Sequence, residues 1–290
     1  MKILIINEEF PPDNHGYLIA DIANAQNQIG NKITFLSSKS KRPNLEKINT
    51  KFFSKENSYL VKRFWSLRIF NHSKITKTIN MIVFPMQCFI YGIFIKKIDL
   101  IFCASSHVLF LPFVGTILSK IHSCKFIYRI EDIKPEGGIS KNSFLKKFIY
   151  NFLLKIDKLN CKYASNVVVL SHDMKNTIKK RFNKNEIKIN VIPNLPRGKT
   201  QNIINLENSK NYLNKRFGYF RIVYTGNIGN WQKLEDIISA MKHLKEFKIE
   251  LIFMGDGANL TNIKKCAGEL INETIFFLPF DNQKNVEHLI

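Results

Sequence analysis

The chain lacks most of the signatures that would assign it quickly. Its five cysteines, Cys88, Cys103, Cys124, Cys161 and Cys266, are an odd number with no CxxC pair. That pattern excludes a disulfide framework and a structural zinc site, and it favours a reducing compartment. The seven histidines show no HxH or HxxxH spacing, so no metal site is expected. Neither GxGxxG nor GxxxxGK[ST] occurs, which removes the dinucleotide fingerprint and the P-loop. No secretory leader is read at the start, MKILIINEEF, because only four apolar residues run before Asn7, Glu8 and Glu9. Arginine is scarce, at eight of 44 basic residues, and base edges are read largely by guanidinium groups. Specific nucleic-acid recognition is therefore not expected.

What is present is a chain of 290 residues, 45% apolar and 23% charged, enough for one large or two ordinary domains with buried cores. Disorder, collagen and coiled coil are excluded. The formal charge is +21, and nearly all of it falls in residues 51–200, where 27 basic residues face 8 acidic ones. Such a footprint suits an anionic partner, either nucleic acid or the acidic face of a membrane; biased composition is the plainer explanation. Two uncharged stretches, Thr78 to Ile95 and Leu100 to Ser119, approach the ~20 residues a spanning helix needs. Pro85 and Gln87 interrupt the first, and Ser105, Ser106, His107 and Pro112 the second. A helix, a strand over Leu100 to Cys103 and a second helix are expected instead.

Short apolar runs recur between helical patterns: ILII (3–6), KITFL (32–36), DLIFCA (99–104), KFIYRI (125–130), NVVVLS (166–171) and KINVIP (188–193). This alternation predicts βαβ units on a parallel sheet buried on both faces. Residues 142–163 carry Phe144, Leu145, Phe148, Phe152, Ile156 and Leu159 at near-helical spacing, with lysines on the other face. A polar stretch at 196–219 then separates a first domain, 1–195, from a second, 220–290. The second reads as strand 220–226, helix 233–246, strand 249–255, helix 260–270 and strand 274–280, too few elements for a closed doubly wound domain.

Three features lie where such strands end, the place where α/β sheets bind ligands. FPPDNHG (10–16) follows the first strand and precedes a helix predicted from near Leu18, and a glycine there lets an anion approach free amides. RIEDIKPEGG gathers Glu131, Asp132 and Glu136 after the strand ending near Ile130; such carboxylates suit sugar hydroxyls or acid/base work, or cap the next helix. YTGNIGNWQK (224–233) and MGDG (254–257) are glycine-rich strand-to-helix turns in which Gly226 and Gly229, with Lys233, could cradle a diphosphate or serve as ordinary turns. Ser171, His172 and Asp173 spell a triad, but adjacent residues cannot relay a proton, so a helix start is expected there.

In order along the chain, MKILIINEEFPPDNHG, FCASSHVLFLPF, FIYRIEDIKPE, VVVLSHDM, VIPN, YTGNIGNWQKLED, FMGDGANL and FFLPFDN resemble glycosyltransferase family 4. The D-x-x-P-E loop and GN-x-G-x-x-Q are similar to its lipopolysaccharide and capsule branch, which includes N-acetylhexosamine and fucosamine transferases. The resemblance implies a GT-B fold of two Rossmann-like, doubly wound parallel-sheet domains, the second incomplete. The family's E-x7-E segment has no counterpart before Ile290, which implies a truncated product.

The resemblance further implies a retaining transferase that moves a hexose or N-acetylhexosamine from a nucleoside diphosphate sugar, UDP-linked, to a lipid-linked or saccharide acceptor. It needs no cofactor beyond that donor and no metal. The site is assigned by the same resemblance. His15, Asp132 and Glu136 serve as the catalytic set, with His15 and Gly16 near the donor phosphates and acceptor and Asp132 and Glu136 on the acceptor side. Gly226, Asn227 and Lys233 meet the diphosphate, and Gly255, Asp256, Gly257 and Phe280 approach ribose and base. Arginine commonly stands where Asn227 is, and the usual Gly-Gly of the first loop is His15-Gly16. The implied location is cytoplasmic, peripheral on the inner face of the membrane, with anionic lipid as a partner. The alternative is a non-catalytic remnant that binds membrane or a partner protein.

Overall fold

Each apolar run read from the sequence becomes a strand; the central runs bury side chains on both faces, whereas the last, Ile189–Val191, is an edge strand that buries only Ile189. The structure is a computed structural model and describes residues 1–11, 13–39, 59–65, 74–105, 110–133, 143–182, 187–194, 216–230 and 232–279. It divides into two compact units, Met1–Gly198 and Lys199–Ile290.

In the first unit, β1 (Lys2–Ile6), α1 (Asn14–Gln28), β2 (Lys32–Ser38) and β3 (Leu60–Phe64) are followed by α2 (Lys74–Ile93), β4 (Leu100–Ser105), α3 (Leu111–Ile121) and β5 (Lys125–Ile130). Then come α4 (Phe144–Tyr163), β6 (Asn166–Val169), α5 (His172–Lys179) and β7 (Ile189–Val191). The seven strands lie parallel in the order β3-β2-β1-β4-β5-β6-β7. Period-two alternation sends Ile3 and Ile5 to one face, where α1 packs with Ile19, Ala20 and Ala23. Leu4 and Ile6 face the other, beneath Phe84 of α2, Leu118 of α3, Cys161 of α4 and Ile178 of α5. The sheet is thus doubly wound. Its strand order reverses between β1 and β4, which makes their carboxyl ends the topological switch point.

The second unit runs β8 (Phe220–Thr225), α6 (Leu234–His243), β9 (Ile249–Met254), α7 (Leu260–Ala267), a 3-10 turn (Gly268–Leu270) and β10 (Ile275–Leu278). Its parallel order is β10-β9-β8. Leu251 and Phe253 of the central strand pack under α6 and α7. On this small sheet Arg221 and Glu250 stand side by side on β8 and β9, their ion pair closed at 2.5 Å with both side chains buried. Each buried charge compensates the other.

Several elements differ from the sequence expectation. β3 had no predicted counterpart: LVKRF is a partly exposed edge strand with two basic residues, so it carries no continuous apolar run. α1 starts at Asn14 rather than near Leu18. α6 ends at His243 instead of Glu246. The described residues of 78–119 form a helix, a strand and a helix, and among the described residues no helix is long and apolar enough to cross a membrane. Ser171 is the N-cap of α5, its hydroxyl accepting the Met174 amide at 3.2 Å. That is the helix start expected for the Ser171-His172-Asp173 run.

Candidate functional site

The second unit holds the more constrained of two candidate regions. β8 and β9 end in register at Thr225 and Met254, and the turns that follow are bonded to each other. The Gly226 amide donates to the Met254 carbonyl at 3.0 Å, Ile228 to Asp256 at 2.9 Å, and Asn259 to Ile228 at 3.0 Å. Such proximity requires glycine. A β-carbon on Gly255 would sit 1.9 Å from the Gly226 carbonyl oxygen, and one on Gly257 would sit 2.2 Å from that of Ile228. Two main chains therefore meet at the amino ends of α6 and α7, where helix amides lacking intrahelical acceptors favour an anion.

Lys233 stands at the N-cap of α6 in the left-handed region, φ 49° and ψ 44°, a geometry costing a non-glycine residue about 1 kcal/mol. It brings a cation to the helix's positive end, beside Glu235 and Asp236 of the first turn, where an anionic ligand would be favoured further. Two of the three neighbouring carboxylates, those of Glu235 and Asp256, are engaged in side-chain hydrogen bonds. Glu235 Oε1 accepts the side-chain amides of Asn259 at 2.7 Å and Asn262 at 3.2 Å, tying α6 to α7. The Asn259 bond, followed by Glu235's own backbone amide, holds this carboxyl below its ordinary range. Asp256 turns its Oδ1 back onto the Gly257 amide at 2.7 Å.

In the first unit, the turn after β1 is buried and folded back. Asn7, Glu8 and Glu9 are all nearly inaccessible. The Glu8 carbonyl accepts both the amide and the hydroxyl of Ser38, at 3.0 and 2.8 Å, and the Asn7 side chain donates to the Glu9 carbonyl at 2.6 Å. Arg63 of β3 donates to the Pro11 carbonyl at 2.7 Å and lies 5.0 Å over the Phe10 ring. Gly16 has a packing reason: a β-carbon there would lie 2.4 Å from the Phe10 carbonyl carbon. This contact draws the start of α1 back to Asn14.

At the end of β5, Arg129 is buried, with Nε 3.6 Å from Glu131 Oε1 and Nη2 donating to Asn194 Oδ1 after β7. Burial lowers the Arg129 pKa while Glu131 opposes that shift, so the ion pair is what makes the buried guanidinium tolerable. The Glu131 amide donates to Ser105 Oγ at 3.0 Å, linking the ends of β4 and β5.

The structure thus gathers Gly226, Asn227, Gly255, Asp256 and Gly257 into one pair of turns, with Lys233 at the head of α6. His15 and Gly16 lie in the first turn of α1, and exposed Asp132 follows β5. β1 and β5 are separated only by β4, so the strand ends these residues follow stand on the order of 10 Å apart. Glu136 and Phe280 fall outside the described residues. Sequence reasoning missed the clamp from Glu235 to Asn259 and the buried Glu8 and Glu9, whose signal was two carboxylates directly after a strand. Among the described residues no group of three His, Cys, Asp or Glu side chains could hold a metal ion.

No protein-family model matches the chain. It is 32% identical over 142 residues to an uncharacterized glycosyltransferase of Methanocaldococcus jannaschii, covering 47% of this chain and 35% of that one. It is 28% identical over 156 residues to the probable glycosyltransferase WbjE of Pseudomonas aeruginosa, covering 50% and 36%. Each match thus spans about a third of the relative's length. Among solved structures, Anabaena HepE in complex with UDP aligns at TM-score 0.63 and 16% identity, over 97% of this chain and 70% of that one. Sucrose-phosphate synthase from Thermosynechococcus elongatus aligns at TM-score 0.60 and 13% identity, over 97% and 71%. The chain is therefore similar in sequence to glycosyltransferases over about half its length, and it has the α/β, GT-B type of fold.

Proposed function

We propose that the chain takes part in glycosyl transfer from a nucleoside diphosphate sugar, UDP-linked, to a lipid-linked or saccharide acceptor in cell-surface polysaccharide synthesis, with retention at the sugar carbon. The observation that carries this reading is the pair of interlocked turns after β8 and β9, which admits only glycine at 255 and 257. It sets Lys233 beside helix amides where a diphosphate would develop charge. That Anabaena HepE, of the same fold, was solved with UDP supports a uridine donor.

Retention needs no protein nucleophile. If the leaving phosphate oxygen accepts the acceptor's hydroxyl proton on the face it departs from, the new bond forms on that same face. The protein then stabilises the departing diphosphate and aligns the acceptor. Asp132, after β5, is assigned to the acceptor side, and His15, in the first turn of α1, to the donor phosphates and acceptor. This reading extends to Glu136 and Phe280 by sequence alone.

Isothermal titration of the whole chain with UDP, UDP-glucose, UDP-N-acetylglucosamine and GDP-mannose tests it. Saturable heat from at least one uridine ligand, lost in Lys233→Ala, is expected. Absence of heat from every ligand would refute it.

A further inference from the structure

We propose that the amino end of the seven-stranded sheet holds a binding pocket for a small organic phosphate, a monoester whose apolar body enters between the sheet and the chain that follows α2. The pocket lies at the opposite end of this sheet from the strand ends that His15 and Asp132 follow. Along β1 those two ends are about 15 Å apart. A ligand here is therefore distinct from any held at the carboxyl ends.

The pocket is a cleft of about 260 Å³. Period-two alternation decides what lines it: Lys2 and Leu4 of β1 and Lys32 and Thr34 of β2 share the face on which α2 packs. The chain leaving α2 closes the other side with Ile95, Lys96, Lys97 and Ile98. Leu4 and Ile98 are buried and make the interior apolar. Hydrogen bonds hold these walls together without a ligand. The Lys2 amide donates to Asp99 Oδ2 at 2.7 Å, the Asp99 amide to the Lys2 carbonyl at 2.8 Å, and the Lys32 amide to the Met1 carbonyl at 2.8 Å. A cleft framed in this way is preformed, so binding costs little ordering.

Charge then selects the occupant. Four lysines line this one cleft, and two of them, Lys2 and Lys32, stand directly opposite each other on adjacent strands. Like charges so placed repel. Among the described residues the one ion pair made by these four joins Lys97 to Asp99 at 3.8 Å. Four ammonium groups against one carboxylate leave an excess of three positive charges, which an anion would relieve. Compact ammonium groups on flexible stems suit phosphate oxygens, and a phosphate monoester brings close to two negative charges near pH 7. A carboxylate brings only one. The buried Leu4 and Ile98 add nothing for a bare ion but would cover an apolar body. The volume holds roughly nine waters at ~30 Å³ each, which suits a body of about one ring.

Isothermal titration of the whole chain with phenyl phosphate, inorganic phosphate and benzyl alcohol tests the proposal. Saturable binding of phenyl phosphate is expected, at least tenfold tighter than either of the other probes. Lys2→Gln/Lys32→Gln should weaken it at least tenfold. Both side chains are exposed, so without ligand this variant should melt at or above the parent in circular dichroism, the repulsion between the pair being gone. Lys155→Gln/Lys162→Gln removes the same charge from exposed positions on α4, outside the cleft, and should leave the affinity unchanged. Lys233→Ala, which is expected to abolish uridine binding, should also leave it unchanged. Four results would overturn the proposal: no heat from phenyl phosphate; inorganic phosphate binding as tightly, which makes the lysines a bare-anion patch; equal weakening by Lys155→Gln/Lys162→Gln, which is attraction by net charge; or loss of binding in Lys233→Ala, which places the ester at the donor turns. Uridine titration of the parent chain is decided separately from all four.

Discussion

Replacing Gly255 by alanine perturbs the second unit where two main chains meet most closely. The new methyl group would start 1.9 Å from the Gly226 carbonyl oxygen, which is backbone and cannot rotate away. Relief to an ordinary carbon to oxygen approach of about 3.3 Å requires the turns to part by more than 1 Å. The hydrogen bonds that join them, Gly226 to Met254 at 3.0 Å and Ile228 to Asp256 at 2.9 Å, flank the clash and would break first. Each is worth about 1 kcal/mol net, and overpacking adds about 1 to 3 kcal/mol, so the expected loss is about 3 to 5 kcal/mol. Gly229→Ala is the control in the same turn. Its β-carbon meets only the side-chain ends of Asn227 and Gln232, which can swing aside, and it should cost about 1 kcal/mol or less. Urea denaturation followed by circular dichroism reads both variants. If Gly255→Ala and Gly229→Ala lose equal stability, the turns are not interlocked and the candidate anion site loses its frame.

Three further outcomes follow from the same structure. Glu235 has its carboxyl held below the ordinary value by Asn259, so it stabilises the fold above about pH 4.5 and that contribution is lost as pH falls through the lowered value; Glu235→Gln should flatten the acid limb of urea midpoints, and a parallel shift at every pH would contradict this. Asp157→Ala leaves Arg181, whose side chain is 5% exposed, without its carboxylate and removes the acceptor of the Tyr128 hydroxyl, so a loss of about 3 to 5 kcal/mol is expected; a loss under about 1 kcal/mol would mean the pair behaves as a surface ion pair. Cys88, Cys103 and Cys161 are buried, with thiols pushed up by burial, whereas Cys124 and Cys266 are half-buried. A thiol reagent should therefore modify two cysteines in the native protein and all five only in denaturant; rapid native reaction at a third site would disprove the core packing of the first unit.

Legibility in the sequence tracked burial. The strands of 125–130 and 249–254 are nearly continuous apolar runs flanked by helical patterns, and the structure places them within a residue of the expected bounds. α4 was visible because its aromatic residues recur at helical spacing, yet its pattern hid its orientation. Phe144, Phe148 and Phe152 point away from the core, and Tyr150, Asn160 and Cys161 point in. β3 was invisible because an edge strand buries only part of its surface and keeps Lys62 and Arg63. The early start of α1 was also unreadable: Asn14, His15 and Gly16 are weak helix formers, and their helical state follows the seating of Gly16 on Phe10.

The candidate site divides the same way. Glycine-rich turns after strands announce a place where backbone comes close to something, and composition alone located them at 226–229 and 255–257. What they come close to is each other, a fact that exists only once β8 and β9 lie in register. By itself the sequence determined the alternation of strand and helix and the cationic, cysteine-poor chemistry of the chain, because these depend on local periodicity and composition. Strand order, the switch point between β1 and β4, the inward turn of Asp157 and the clamp from Glu235 to Asn259 were decided only by tertiary structure. Each joins residues distant in the chain, and such pairings leave no periodic trace in the sequence.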